Sequence, residues 1–283
     1  MAKKYIQENC WLLSILSGVA ILHLNLIWKT TENIDLVATS SFYWGAIIWL
    51  LWCRRDRLLY RSKLSYNNIV GLFLLCFTLS KTLTLFSFES QLLSLFPLTI
   101  SVALILIVSG FKFGQYKREL FFAWFLFFPE GVIGQAIDGL VKITILNAKV
   151  ATYLLYYVGF DVVSKGNQVM LSLPESGQFK AIVDYPCAGV PMMLLMLKFA
   201  LLLICLAPLK QPEKILIPTF SVILGFLLGV IRVSILTLLI SNPNKFDYWH
   251  GSQGTQIFST LAITIFAGFC YWILERRQIV GTN

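Results

Sequence analysis

Long apolar runs separated by short polar breaks dominate the 283-residue chain, and about 20 such residues are what roughly 30 Å of hydrocarbon asks of a helix. Eight runs approach that length: Trp11 to Trp28, Leu36 to Cys53, Ile69 to Ser87, Leu92 to Phe111, Leu120 to Gln135, Pro186 to Leu206, Ile215 to Ile240 and Thr255 to Leu274. The first is not a cleavable signal peptide, because it lacks a small-residue cleavage site and further spans follow directly. Between the fifth and sixth runs the pattern changes. Ile137, Leu140, Val141, Ile145, Ala148, Ala151, Leu155 and Val158 recur at helical spacing with Asp138, Lys142 and Lys149 among them, which predicts one amphipathic helix over Ile137 to Val158 on the membrane surface. Gly159 ends it. Val162-Val163, Val169 to Leu173 and Phe179 to Val183 then read as short strands around turn residues such as Gly166-Asn167. The expected fold is an all-α polytopic membrane protein of about eight transmembrane helices, a single domain over residues 1–283, with a small non-cytoplasmic cap over residues 136–185.

Composition agrees: 57% of residues are hydrophobic and 13% charged. Soluble domains devote about a quarter of their residues to charge, so an ordinary soluble enzyme, a disordered chain and a secreted disulfide scaffold are all excluded. The net charge of +9 does not imply nucleic acid, because basic residues of membrane proteins collect in cytoplasmic loops. Placing Lys3 and Lys4 inside also places there Arg54, Arg55, Arg57, Arg61, Lys63, Lys112, Lys117, Arg118, Lys210, Lys214, Arg276 and Arg277, 14 of the 23 basic residues. The opposite segments carry nine of the 14 acids: Glu32, Asp35, Glu89, Glu130, Asp138, Asp161, Glu175, Asp184 and Asp247. Eight spans with both termini cytoplasmic satisfy the charge rule at every loop, and seven break it at one end.

Three residues stand out for chemistry. Cys187, in Asp184-Tyr185-Pro186-Cys187-Ala188-Gly189, reads as the first turn of the sixth span, with Pro186 at the first helical position and Asp184 as a cap. Helix N–H groups and the dipole favour thiolate there, although a small packing residue in a Gly/Ala-rich turn has the same signature. Arg232 interrupts an otherwise uncharged span, at about 2.5 to 3.5 kcal/mol on insertion scales, and no clearly intramembrane acid is available to pair with it. His250, in Tyr248-Trp249-His250-Gly251, lies on the outer side just before the last span and is able to act as acid or base, or is simply an exposed loop residue. The topology, built without these residues, brings Cys187, Arg232 and His250 to one outer face. A nucleophile, a proton carrier and a fixed cation are what acyl transfer needs.

The remaining candidates read as structural. Cys10, Cys53, Cys76, Cys205 and Cys270 lie in or beside apolar runs, His23 is a packing residue of the first span, and two His without an acid or Cys cluster make a metal site improbable. Lys198 lies 11 residues beyond Cys187, roughly 16 Å deeper along a helix, too far for proton transfer. Lys81 has hydroxyl neighbours in Thr78, Ser80 and Thr82, with a role in substrate passage as the alternative.

At these residues the chain resembles the exosortase/archaeosortase family of integral-membrane cysteine transpeptidases, closest to the cyanobacterial exosortases. The resemblance covers most of the chain: the eight-span layout, the outer amphipathic segment, the stretch Val183 to Val190, Val230-Ile231-Arg232-Val233 and Trp249-His250-Gly251. It implies Cys187 as nucleophile, Arg232 as transition-state stabiliser and His250 as general acid/base, in a bacterial plasma membrane and with no metal or organic cofactor. It also implies the partners: exported proteins with a C-terminal Pro-Glu-Pro type (PEP-CTERM) sorting signal, a single helix and a basic tail, an unknown acceptor, membrane lipids and no nucleic acid. The sequence departs from the family pattern in three places. Cys-Ser-Gly is Cys187-Ala188-Gly189, an Arg soon after it is replaced by Pro191-Met192-Met193, and an Asn before the span Arg appears as Gly229. The alternative from another class is a polytopic carrier or exopolysaccharide-assembly protein, in which Arg232, Lys81 and Lys198 bind an anionic lipid-linked substrate. A structural scaffold, the third reading, leaves Arg232 unexplained.

Overall fold

The computed structural model describes residues 2–32, 34–54, 66–84, 90–109, 117–174 and 177–280. Helices run over α1 (Ala2–Thr31), α2 (Ile34–Arg54), α3 (Tyr66–Thr84), α4 (Ser90–Ser109), α5 (Lys117–Phe127), α6 (Glu130–Val141) and α7 (Ile143–Val158). Three strands follow, β1 (Val162–Lys165), β2 (Gln168–Leu173) and β3 (Gly177–Ile182), then α8 (Val190–Leu206), α9 (Gln211–Leu239), α10 (Pro243–His250) and α11 (Ser252–Val280). The chain forms two compact units, residues 1–129 and 130–283.

In the first unit, α1, α2, α4 and α5 meet at a buried aromatic cluster. Trp44 Nε1 donates to His23 Nδ1 at 3.1 Å, and the His23 ring stacks on Phe96 and meets Phe127 edge-on. His23 is thus a packing residue whose polar atom is satisfied inside the apolar core. Gly71 of α3 lets the α4 backbone close in, since a Cβ there would lie 2.8 Å from the Ala103 carbonyl.

Among the described residues four helical stretches are long and apolar enough to cross a membrane, Leu13–Thr31, Ile34–Cys53, Gln211–Leu239 and Ser252–Arg276, and a fifth if α5 and α6 together count as one bent span. The expected eight is not reached among the described residues. The third and fourth runs end, at Ser87 and Phe111, outside the described residues, as do Arg55, Arg57, Arg61, Lys63 and Lys112 of the charged loops. The fifth run breaks at Phe128-Pro129, because Pro lacks the N–H that a continuing helix needs and disfavours helical geometry in the residue before it. The sixth is cut to 17 residues, because Tyr185 to Gly189 form a turn.

The second unit holds the cap. The single amphipathic helix expected over Ile137 to Val158 is two helices, broken at Lys142, whose φ of 55° is left-handed. Asp138 makes that corner: its carboxylate accepts from the Thr144 N–H at 2.8 Å and from the Thr144 hydroxyl at 3.0 Å, capping α7 from the preceding helix. Gly159, at φ 105°, closes α7 as expected, with Phe160 N–H bonding the Leu155 carbonyl. The strands form an antiparallel sheet in the order β1-β2-β3, with Lys165 opposite Gln168 across the Gly166-Asn167 turn and Gln168 opposite Ile182. Alternate residues Val169 and Leu171 are buried with Val162 and Val183 in one core with Ala148, Ala151 and Leu155 of α7 and Val230 and Val233 of α9.

Beneath the cap α8, α9 and α11 pack antiparallel in sequence. Gly189 meets Gly229 while Gly225 meets Met193, and Arg232 meets Thr255 while Phe220 stacks on Phe269 at 3.8 Å. Small residues at the α8–α9 crossing let the backbones touch, which suits helices with little hydrophobic drive to associate in lipid.

Candidate active site

Cys187 lies in the turn before α8 and not in its first helical turn. Its N–H and that of Ala188 both bond the Asp184 carbonyl, at 2.9 and 3.0 Å, and Gly189 at φ 75° then redirects the chain into α8, where Pro191 and not Pro186 stands at the helix start. Gly189 is obligatory twice over. Its left-handed backbone disfavours a side chain, and a Cβ would lie 2.8 Å from Gly229 Cα. Gly229 makes the other half of this contact: a Cβ on it would lie 2.7 Å from Gly189 Cα. From the cap, Asn147, fully buried, donates its Nδ2 to the Ala188 carbonyl at 3.0 Å. The Cys187 turn is therefore held from α7 and from α9 together.

His250 reaches Cys187 from α10. His250 ends α10, and its Nε2 lies 3.5 Å from Cys187 Sγ, within hydrogen-bonding reach of sulfur. Phe246, one turn earlier, stacks on the imidazole at 5.2 Å and 12°, which fixes the ring plane. Two glycines allow α10 to fold back on α11: a Cβ on Gly251 would lie 2.8 Å from the Asp247 carbonyl, and one on Gly254 would run into the Trp249 carbonyl.

Arg232 is buried in α9 and reaches this turn. Its Nη2 donates to the His250 carbonyl at 3.0 Å and to Thr255 Oγ1 at 2.8 Å, while Thr255 in turn donates to the Gly251 carbonyl at 2.9 Å. Arg232 Nε is buried with no partner. An acid is therefore not needed to hold the guanidinium; a carbonyl and a hydroxyl do it through Nη2, and Nε is left without a partner.

The electrostatics of the thiol differ from the expectation of a ready thiolate. Burial pushes the Cys187 pKa up, the Arg232 cation opposes the rise, and Asp184 adds to it, with a net shift above the ordinary thiol value. Outside α8, Cys187 lacks the first-turn N–H groups that were expected to favour its anion. Burial thus favours the neutral thiol over its anion, and the imidazole is the titratable side chain within reach of its sulfur.

A family model described as transmembrane exosortase (Exosortase_EpsH) matches residues 28–267. The chain belongs to the transmembrane exosortase family. No curated protein and no solved structure matches it. Cys187, Arg232 and His250 all fall in the matched region of this exosortase, and membership is consistent with a membrane cysteine transpeptidase for sorting signals.

Sequence reading of the exosortase passed over Asn147, Phe246, Gly254 and Thr255. Phe246 had a signal, since it stands four residues before His250 on a short helix. Asn147 and Thr255 had none, because their partners come from distant segments. Lys198, read from the sequence as structural, has its Nζ 2.7 Å from Glu130 Oε1 at the start of α6. Lys81 lies over the Phe77 ring at 5.7 Å and is exposed at the end of α3, in the first unit and not among the residues of this site.

Proposed function

We propose that this exosortase cleaves the C-terminal Pro-Glu-Pro type sorting signal of exported proteins at the outer face of the membrane and transfers them to an acceptor through a thioester. The observation that carries this reading is the 3.5 Å approach of Cys187 Sγ to His250 Nε2, beside an arginine bonded to the backbone of the same histidine. His250 takes the thiol proton as Sγ attacks the peptide carbonyl, and Arg232 steadies the oxyanion. Collapse breaks the C–N bond, and His250 returns the proton to the departing amine of the tail. The thioester is then attacked by an acceptor amine, or by water where none is bound, restoring the thiol.

The exosortase co-expressed with a tagged protein bearing such a tail tests it. Wild type is expected to yield a shortened product and a thiol-sensitive adduct, and Cys187→Ala neither. Processing that survives Cys187→Ala overturns the cysteine mechanism. The carrier reading predicts that Cys187→Ser keeps function while Arg232→Ala loses it, and the pairing of Lys198 with Glu130 already occupies one of the cations it relies on.

A further inference from the structure

Arg232 reaches the site from the middle of α9 by a long side chain, and a flexible cation stabilises a developing charge only if its orientation is set beforehand. One nitrogen is fixed by two acceptors. Nη2 gives one N–H to the His250 carbonyl and the other to Thr255 Oγ1. Thr255 is suited to accept, because its own proton is committed to the Gly251 carbonyl, which turns a lone pair toward the guanidinium. With Nη2 used twice, the donors left for substrate include Nε, buried with no partner, and a buried donor left unmade is a lasting cost unless something fills it. The two carbonyl bonds, from Arg232 and from Thr255, also fall on consecutive residues of the turn that carries the imidazole, His250 and Gly251.

We propose that Thr255 is a positioning residue of the active site: its hydroxyl clamps the guanidinium to the His250-Gly251 turn, so that the unused donors of Arg232 face the substrate carbonyl while the imidazole stays at Cys187. This rests on the cysteine transpeptidase reading above. Thr255 touches no reacting atom; it acts through Arg232 and through the backbone that bears His250.

Two variants separate this role from simple packing. Thr255→Ser keeps the hydroxyl and loses the methyl, while Thr255→Val keeps the shape and loses the hydroxyl. The rate of tail removal is read by pulse-chase with the full-length exosortase and a co-expressed tagged substrate, normalised to enzyme in the membrane. Thr255→Ser is expected within about twofold of wild type and Thr255→Val about ten- to hundredfold slower, the usual effect of losing a hydrogen bond to a charged group. A packing role predicts the reverse order. Thr255→Val at the wild-type rate, or Thr255→Ser as slow as Thr255→Val, overturns the proposal. Should Thr255→Val not accumulate, Thr255→Ala carries the same expectation against Thr255→Ser. Cys187→Ala run alongside tells the two failures apart: tail removal that persists in it sinks the cysteine reading itself, whereas its loss together with a fast Thr255→Val sinks only the role of Thr255.

Discussion

Gly254 shows how little slack the turn that carries His250 has. A single methyl there collides with the Trp249 carbonyl, so α10 has to lift and carry His250 away from Cys187. Gly254→Ala is expected to slow tail removal by about a hundredfold, the usual consequence of displacing a catalytic group by an ångström or so. Gly268→Ala, in the same helix with nothing within 4 Å of the added carbon, is the control that leaves the rate unchanged. The thiol gives a second prediction. Because its pKa is raised, alkylation of Cys187 by a water-soluble maleimide climbs steadily with pH through the range where an ordinary cysteine titrates. Arg232→Gln removes the cation that opposes the rise, so less thiolate exists at any given pH and the climb moves to higher pH. A rate that is flat from about pH 6 to 8 would mean a preformed thiolate and would overturn this account. At this scale the juxtaposition of Cys187, Arg232 and His250 could be anticipated, because each is a titratable or charged residue in or beside an apolar run. Thr255 and Asn147 carry no such mark. A Thr in a span and an Asn on an amphipathic helix are ordinary, and only the fold brings them to Nη2 and to the Ala188 carbonyl.

Apolar period and turn residues announce elements well where the backbone follows its cheapest course. The three strands and the end of α7 at Gly159 fall where alternation and glycine put them. They announce breaks poorly. Lys142 carries no mark of its left-handed backbone, and the corner between α6 and α7 is held by Asp138 from four residues before it. Asp138→Ala removes both bonds to Thr144 and is expected to destabilise the corner by about 1 kcal/mol, as loss of a helix cap does, read as a lower melting temperature in detergent. Asp138→Asn, which keeps one acceptor oxygen, retains most of it. Lys198 and Glu130 join α8 to α6 by an ion pair with one buried and one partly exposed partner, 5% and 34%. Breaking a fully buried pair costs about 3 to 5 kcal/mol, and exposure of Glu130 lowers that here. Glu130→Gln is therefore expected to lower the melting temperature measurably while leaving Cys187 alkylation intact.

On the scale of the whole molecule, the decisive frame is the membrane. α9 places Arg232 22 residues from Lys210, about 33 Å at the helical rise and close to the thickness of the hydrocarbon layer. α11 repeats the spacing in reverse, from Thr255 beside the site to Arg276, 21 residues and about 32 Å later. The two helices are antiparallel, so the site lies at one end of both and the basic residues at the other. The charge rule predicts that the basic ends lie in the cytoplasm, and we accordingly propose that the Cys187 end lies outside. Charge counting in the sequence rests on the same rule and needs only the order of runs and loops; the number of spans needs helix length, which Pro129 and the Cys187 turn shorten locally. The orientation is open to a direct test in intact cells with a membrane-impermeant maleimide, in a background whose other cysteines are replaced. Lys165→Cys, exposed on β1, is expected to label without permeabilisation, and Lys214→Cys, near the start of α9, only after it. The reverse pattern would place the site in the cytoplasm. No exported protein would then reach Cys187 from the side where its tail is removed, and the transpeptidase reading would fall with the orientation.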